Sequence, residues 1–226
     1  MAQPNPVRCT SLEDCVEATL TRVGKHIVLG LPAAIGKPTA LVNAFVQRAL
    51  EDRQIRLTII TALSLRAPRW RGELERRLLE PLAARLFADH TELDYVRLLE
   101  EQRLPSNIEV LEFYLEPGVW LDVEHFQQHH LSVNYTHVVR EALRRGLNVL
   151  AQYVAAPRDG EAPSGVLSLG SNTDFTADLL PQIVAMRAAD KPFVLIGQIH
   201  NEMPFMYGDA LVSADTFDYL IERTAP

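Results

Sequence analysis

The chain reads as an α/β protein, a three-layer α/β/α sandwich around a mainly parallel sheet. Three observations predict this class. Short apolar and β-branched runs recur at residues 26–29 (HIVL), 55–61 (IRLTIIT), 147–154 (LNVLAQYV) and 192–199 (PFVLIGQI), as strands covered on both faces should. The first two flank an amphipathic segment within about forty residues, the minimal crossover unit of a parallel sheet. A length of 226 residues with 47% hydrophobic content suffices for one α/β core.

Residues 1–8 hold two prolines and no apolar period, and are expected to be a loosely tied terminus. Leu12, Cys15, Val16 and Leu20 follow at helical spacing over 11–23, with Ser11 and Asp14 as a start signal. After strand 26–29 and a Gly/Pro loop, Pro38 at a first helical position opens a helix. Its Leu41, Val42, Phe45, Val46, Ala49 and Leu50 share one face. Strand 55–61 leads into a less regular middle: a helix over 72–87 interrupted by Pro81, a helix over 92–101, and strand 108–114 (IEVLEFY) ended by Pro117 and Gly118. A helix over 134–145 and strand 147–154 come next, then an exposed loop at 155–165 (AAPRDGEAPSG). A helix beginning near Asp174 carries Leu179, Leu180, Ile183 and Met186 inward, strand 192–199 follows, and a final helix is expected over 215–223. The organisation is thus an N-terminal segment and helix at 1–24 and one α/β domain at 25–226.

A formal charge of −7, with 22 basic residues scattered among 29 acidic ones, argues against a nucleic-acid groove. The densest basic run, residues 66–77, carries its own glutamates and reads as a solvated helix face. No stretch reaches the length of a membrane span, and two cysteines, Cys9 and Cys15, in an acidic chain point to free thiols and a cytoplasmic setting.

The strand at 192–199 runs directly into HNEMPFMYG, the wall and lip of a site at a carboxyl edge. A second candidate is the loop after the first strand, where Gly30, Gly36 and Lys37 either offer backbone N–H groups and a helix start to an anion or simply make a tight turn that lets the helix pack on the sheet. It is not a nucleotide P-loop, because five residues separate the glycines and Pro38 follows Lys37. His125, His129, His130 and His137 are dense enough to suggest metal, but HExxH is absent and no acidic third ligand is evident, so no metal site is expected. Ser168 and Ser171 lack the GxSxG elbow, and Ser171 or Asn172 is expected to cap the helix near Asp174. Asn134 is expected to cap the helix it precedes.

Three blocks resemble one family, the acetyl-CoA hydrolases and acetate-type CoA transferases, in their N-terminal half. They are residues 199–222, with Asn201, Met203, Pro204, Tyr207, Gly208, Asp215, Asp218, Tyr219 and Glu222 at the matching positions; residues 165–176 (GVLSLGSNTDFT); and, more weakly, residues 30–41 (GLPAAIGKPTAL). The resemblance implies the fold that CoA transferases share with sugar-phosphate isomerases. It also implies one wall of an interdomain CoA-thioester site, with Gly30, Gly36, Lys37, Ser168, Gly170, Asn201, Met203, Pro204 and Gly208 as candidate substrate contacts. The substrates implied are an acyl-CoA and a carboxylate or water, with coenzyme A thioester as substrate and no permanently bound cofactor or metal. In that family the glutamate nucleophile lies in a following C-terminal domain, so this chain is expected to be the front half of a longer enzyme and inactive alone. No catalytic residue is expected in it; Glu202 departs from the family's turn and reads as a lip residue. A homo-oligomer is allowed, and no nucleic-acid or membrane partner is implied. Two rivals stand beside this reading: a sugar-phosphate isomerase of related topology, and a non-catalytic module binding an acyl-CoA or a partner protein.

Overall fold

The computed structural model describes residues 5–158, 160 and 162–222; residues 1–4 of the expected loose terminus, 159 and 161 of the expected exposed loop, 223 at the end of the expected final helix and 224–226 lie outside them. Among the described residues the central sheet holds seven strands: β1 (Val7–Cys9), β2 (His26–Gly30), β3 (Arg56–Thr61), β4 (Ile108–Glu112), β5 (Val149–Val154), β7 (Val194–Ile199) and β9 (Tyr219–Glu222). Their order is β1-β9-β7-β5-β2-β3-β4, and every neighbouring pair is parallel. Two further strands, β6 (Val166–Ser168) and β8 (Leu211–Ser213), form a separate antiparallel pair.

Alternation along the strands explains the layers. Ile27 and Leu29 of β2, Leu57 and Ile59 of β3, and Val149 and Ala151 of β5 join one apolar cluster. Val28, Ile60 and Leu150 join the other. Helices α1 (Leu12–Val23), α2 (Thr39–Glu51) and α4 (Asp94–Glu100) supply Val16, Phe45 and Val96 to the first; α6 (Val138–Arg144) and α7 (Asp174–Ala188) supply Val138, Leu179 and Ile183 to the second. Each such side chain contributes about 1.5–3 kcal/mol by leaving water, so a sheet sealed on both faces is the stable arrangement for these runs. The other helices are α3 (Glu73–Leu86), which continues through Pro81, and α5 (Glu124–His129).

One local expectation holds: the Ser11 hydroxyl accepts from the Asp14 N–H and caps α1. Pro38, expected at the first helical position, instead occupies the cap of α2, whose first residue is Thr39. Cys9 and Cys15 are free thiols.

Two expectations fail at the chain ends. Within residues 1–8, Val7 and Arg8 belong to β1, which pairs with β9 in the register Val7↔Tyr219. Three residues are too few to show a period, and their backbone groups are satisfied by adding to a sheet edge. The expected helix at 215–223 is instead a single 3-10 turn, Ala214–Thr216, followed by β9 between β7 and β1. Phe217, Tyr219, Leu220 and Ile221 are all buried, and consecutive apolar residues need cover on both sides, which a strand inside the sheet has and a surface helix lacks.

The two later capping expectations, at Asn134 and at Ser171 or Asn172, fail. A 3-10 turn, Tyr135–His137, precedes α6, and the Asn134 side chain makes no cap bond. Thr173 occupies the cap position of α7, with no side-chain bond there, while Asn172 reaches across to another loop.

Candidate functional site

Strand order reverses between β2 and β5: β2, β3 and β4 step one way across the sheet, and β5, β7 and β9 step the other. At such a switch point the connections leave in opposite directions and open a crevice beyond the carboxyl ends of the strands. The segments that leave these ends are residues 31–38 after β2, 155–173 after β5 and 200–210 after β7.

Side-chain bonds tie the three together. Asn172 donates from Nδ2 to the Ala33 carbonyl at 2.9 Å. Gly36 lies so close beneath Asn172 that a Cβ there would stand 2.6 Å from Asn172 Cγ. Ser168 is fully buried; its Oγ donates to the Met206 carbonyl at 2.8 Å and accepts from the N–H groups of Met206 at 3.0 Å and Gly170 at 3.1 Å. Gly170 has a φ of +63°, and Met203 packs over its open face, 3.1 Å from where a Cβ would be.

Beneath these loops, Gln152 in the middle of β5 donates to the carbonyls of Leu169 and Asn172, both at 3.2 Å. Thr176 in α7 donates to its Oε1. A second buried network lies under the loops after β2 and β3. Lys37 is 2% exposed and donates to the carbonyls of Ala62 at 2.5 Å and Leu63 at 3.1 Å. Glu112, fully buried at the end of β4, accepts from the Ser64 hydroxyl and N–H, and the Tyr95 hydroxyl lies 2.5 Å from Ser64 Oγ. Burial pushes the Glu112 carboxyl up, opposed by the Ser64 hydroxyl and then by the nearby Lys37 charge. Burial also raises the Tyr95 phenol, and the Glu112 charge adds to it.

A cavity of about 270 Å³ opens at the switch point, lined by Leu31, Ala33, Phe113, Tyr135, Phe175 and Asp209 among others. Its lining mixes apolar side chains (Leu31, Phe113, Phe175) with polar ones (Tyr135, Asp209). The residues singled out from the sequence stand in different relations to it. Gly36, Ser168, Gly170 and Met203 join the loops that frame it. Gly30 packs within the core, where a Cβ would stand 2.8 Å from Leu147 and 3.1 Å from Phe175. Lys37 turns its ammonium toward backbone carbonyls beneath the loop. Pro204 and Gly208 are exposed on the lip, Gly208 with a φ of +71°. Asn201 is exposed at the rim of a different cavity of about 410 Å³, beside Arg8, Ile199 and Glu222. Glu202 is exposed, and its N–H donates to His200 Nδ1 at 3.2 Å.

The histidine cluster is elsewhere. His125 and His129 of α5 stack with ring centres 4.2 Å apart, His125 Nε2 is 2.9 Å from the Val110 carbonyl, and His129 Nε2 is 3.6 Å from Glu109. Burial holds the His125 imidazole below its ordinary value. Among the described residues no group of three or more His, Cys, Asp or Glu is placed to hold a metal ion.

Gln152, Thr176, Ser64, Tyr95 and Glu112 escaped the sequence reading. A signal existed for two of them, since Gln152 and Glu112 are polar residues inside otherwise apolar strand runs, and a buried polar group must have a partner.

No protein-family model matches the chain, and no curated protein matches it in sequence. Solved structures do match. RipA from Yersinia pestis superposes with a TM-score of 0.59 at 16% identity, over 96% of this chain and 42% of its own. A 4-hydroxybutyrate CoA-transferase from Porphyromonas gingivalis gives a TM-score of 0.48 at 18% identity, over 97% of this chain and 40% of its own. The latter superposes too loosely to carry an argument; the likeness to RipA shows a shared fold. The chain spans less than half the length of either.

Proposed function

We propose that this chain is the N-terminal-like domain of an acetyl-CoA hydrolase or acyl-CoA:carboxylate CoA transferase, and forms one wall of its thioester site. One observation carries the reading: the three blocks that resemble that family are joined around the switch point by the Asn172–Ala33 and Ser168–Met206 hydrogen bonds and by Met203 packing on Gly170. In this chemistry a carboxylate attacks the thioester to give an acyl-glutamyl anhydride and free CoA thiolate. The thiolate returns to form a glutamyl-CoA thioester and releases the acid. A second acid then accepts CoA, or water hydrolyses the intermediate. The part assigned to this chain is to bind and enclose: Leu31, Phe113 and Phe175 cover the apolar stem near the sulfur, and Tyr135 and Asp209 form the rim. The carboxylate that breaks the bond is assigned to a domain that would follow.

Calorimetric titration of acetyl-CoA into the chain tests this, with thiol release followed in the same samples. Saturable binding without thiol release is expected, weakened about tenfold, or ~1.4 kcal/mol, by Tyr135→Ala. Thioester hydrolysis by the chain alone that Glu202→Gln abolishes would overturn the division of labour. Absence of binding together with turnover of a phosphosugar would favour the isomerase.

A further inference from the structure

Helix α3 is 14 residues long and none of its residues is buried. Leu74, Leu78, Leu82 and Leu86 are 84%, 70%, 46% and 65% exposed. Spaced by four, they form one slanting apolar stripe. The opposite face is already satisfied, since Arg76 pairs with Glu73 and Glu80, and Arg77 pairs with Glu73. Helices of about 12–15 residues are marginal in water without packing, and Pro81 near the middle removes a backbone bond at a cost of roughly 3 kcal/mol. Such a helix calls for cover on its leucine face.

From these observations we infer that α3 is a self-association surface whose occupant is the α3 of a second copy, running antiparallel. The four leucines are symmetric about position 80, so an antiparallel copy brings Leu78 level with the partner's Leu82, and Leu74 level with the partner's Leu86. A two-fold axis makes both contacts twice, which is the self-complementarity an isologous dimer requires. Charge selects the same direction. The first turn is acidic, with Glu73 and Glu75, and the last carries Arg85; antiparallel alignment places acidic and basic ends together and opposes the helix dipoles, whereas parallel alignment stacks Glu75 on the partner's Glu75. Glu80 lies on the far side of the helix from the stripe, so the axis does not bring two carboxylates into the contact. One helix pair covers less than the ~800 Å² per partner of a standard interface, so the dimer is concentration-dependent. The inference is independent of what the switch-point site binds.

Sedimentation velocity of the 226-residue chain over a concentration series is the test. A monomer–dimer equilibrium is expected, with Leu78→Glu and Leu82→Glu each raising the dissociation constant by about 100-fold. Their circular dichroism should match the parent, because neither side chain is buried in the monomer. Direction is read separately: in a Cys9→Ser background, a mixture of Leu78→Cys and Leu82→Cys chains should crosslink to each other more than either does to itself. A chain that stays monomeric at all concentrations, a dimer indifferent to both glutamates, or a preference for like-with-like crosslinks would overturn the assignment. So would a longer, monomeric polypeptide in which Leu78→Cys is shielded from thiol reagents, which would give the stripe to a segment of the same chain.

Discussion

Two buried polar networks hold the loops at the carboxyl edge of the sheet, one on each face, and they solve the same problem with different chemistry. On the α2 and α4 side the groups are ionisable: Lys37, Glu112 and Tyr95, joined through Ser64 and the Ala62 and Leu63 carbonyls. On the α7 side they are neutral: Gln152, Thr176 and Ser168, with the carbonyls of Leu169, Asn172 and Met206. A buried neutral amide is stabilised by any set of good hydrogen bonds, whereas a buried charge also needs an opposite charge nearby. The contrast predicts that the first network is strong, fragile to single substitutions and sensitive to pH, and that the second is weaker, more tolerant and indifferent to pH.

The largest effect is expected from breaking the charged side. Lys37→Met takes the donor away from the Ala62 and Leu63 carbonyls, two charge-assisted hydrogen bonds worth about 1.5–3 kcal/mol each, and its effect is read as a fall in the urea midpoint. The pH dependence has a definite sign. The unfolded Glu112 carboxyl titrates near 4.5 and the folded one above it, so between those values the native state holds more protons. Its contribution to stability is fully present below 4.5 and is lost as pH rises through the folded value. Glu112→Gln, which keeps the neutral form, should therefore gain on the parent as pH rises through that window. Urea curves at several pH values check this, and parallel pH profiles for the two chains would count against an ionisable Glu112.

How much of this was legible in the sequence differs between the networks and the frame around them. The strands at 55–61 and 192–199 announced themselves, because runs such as IRLTIIT have few other uses than a doubly covered strand. Leu41, Phe45 and Ala49 likewise fixed a helix face. One end of the sheet was hidden, since the edge strand β1 is three residues long and β9, just inside it, owes its state to β7 and β1 rather than to local pattern. The blocks around Gly36, Ser168, Gly170 and Met203 were visible as motifs, and the structure brings them together. Their roles were not visible, because a serine that clamps a neighbouring loop and a serine that meets a ligand look the same in one dimension. Lys37 shows this most clearly: in sequence it is a cation beside a glycine loop, and in three dimensions its ammonium lies on two carbonyls. Gln152 and Glu112, polar residues inside apolar strand runs, mark in one dimension where buried partners must lie.

The neutral side should give smaller losses. Gln152→Leu fills similar space but leaves the Leu169 and Asn172 carbonyls and the Thr176 hydroxyl without this partner, a cost of about 1–3 kcal/mol. The loss should be the same at pH 5 and pH 8, as no titrating group is involved. A pronounced pH dependence in this variant would show that the two faces are coupled through the sheet and that the contrast between them is wrong.

The smallest expected effect on stability falls where the faces meet. Asn172 sits above Gly36 and donates to Ala33, linking the loop that contains Lys37 to the loop held by Gln152. Asn172→Ala removes its bond to Ala33 and a long one from the Ser171 hydroxyl, and should cost about 1 kcal/mol. Because Ala33 lines the switch-point cavity, freeing its loop should raise the dissociation constant for acetyl-CoA by more than that loss of stability implies. Gly36→Ala reaches the same joint from below, forcing Asn172 aside without deleting it, and should reproduce the binding defect. If both variants lose stability yet bind like the parent, the joint holds the fold together without shaping the site.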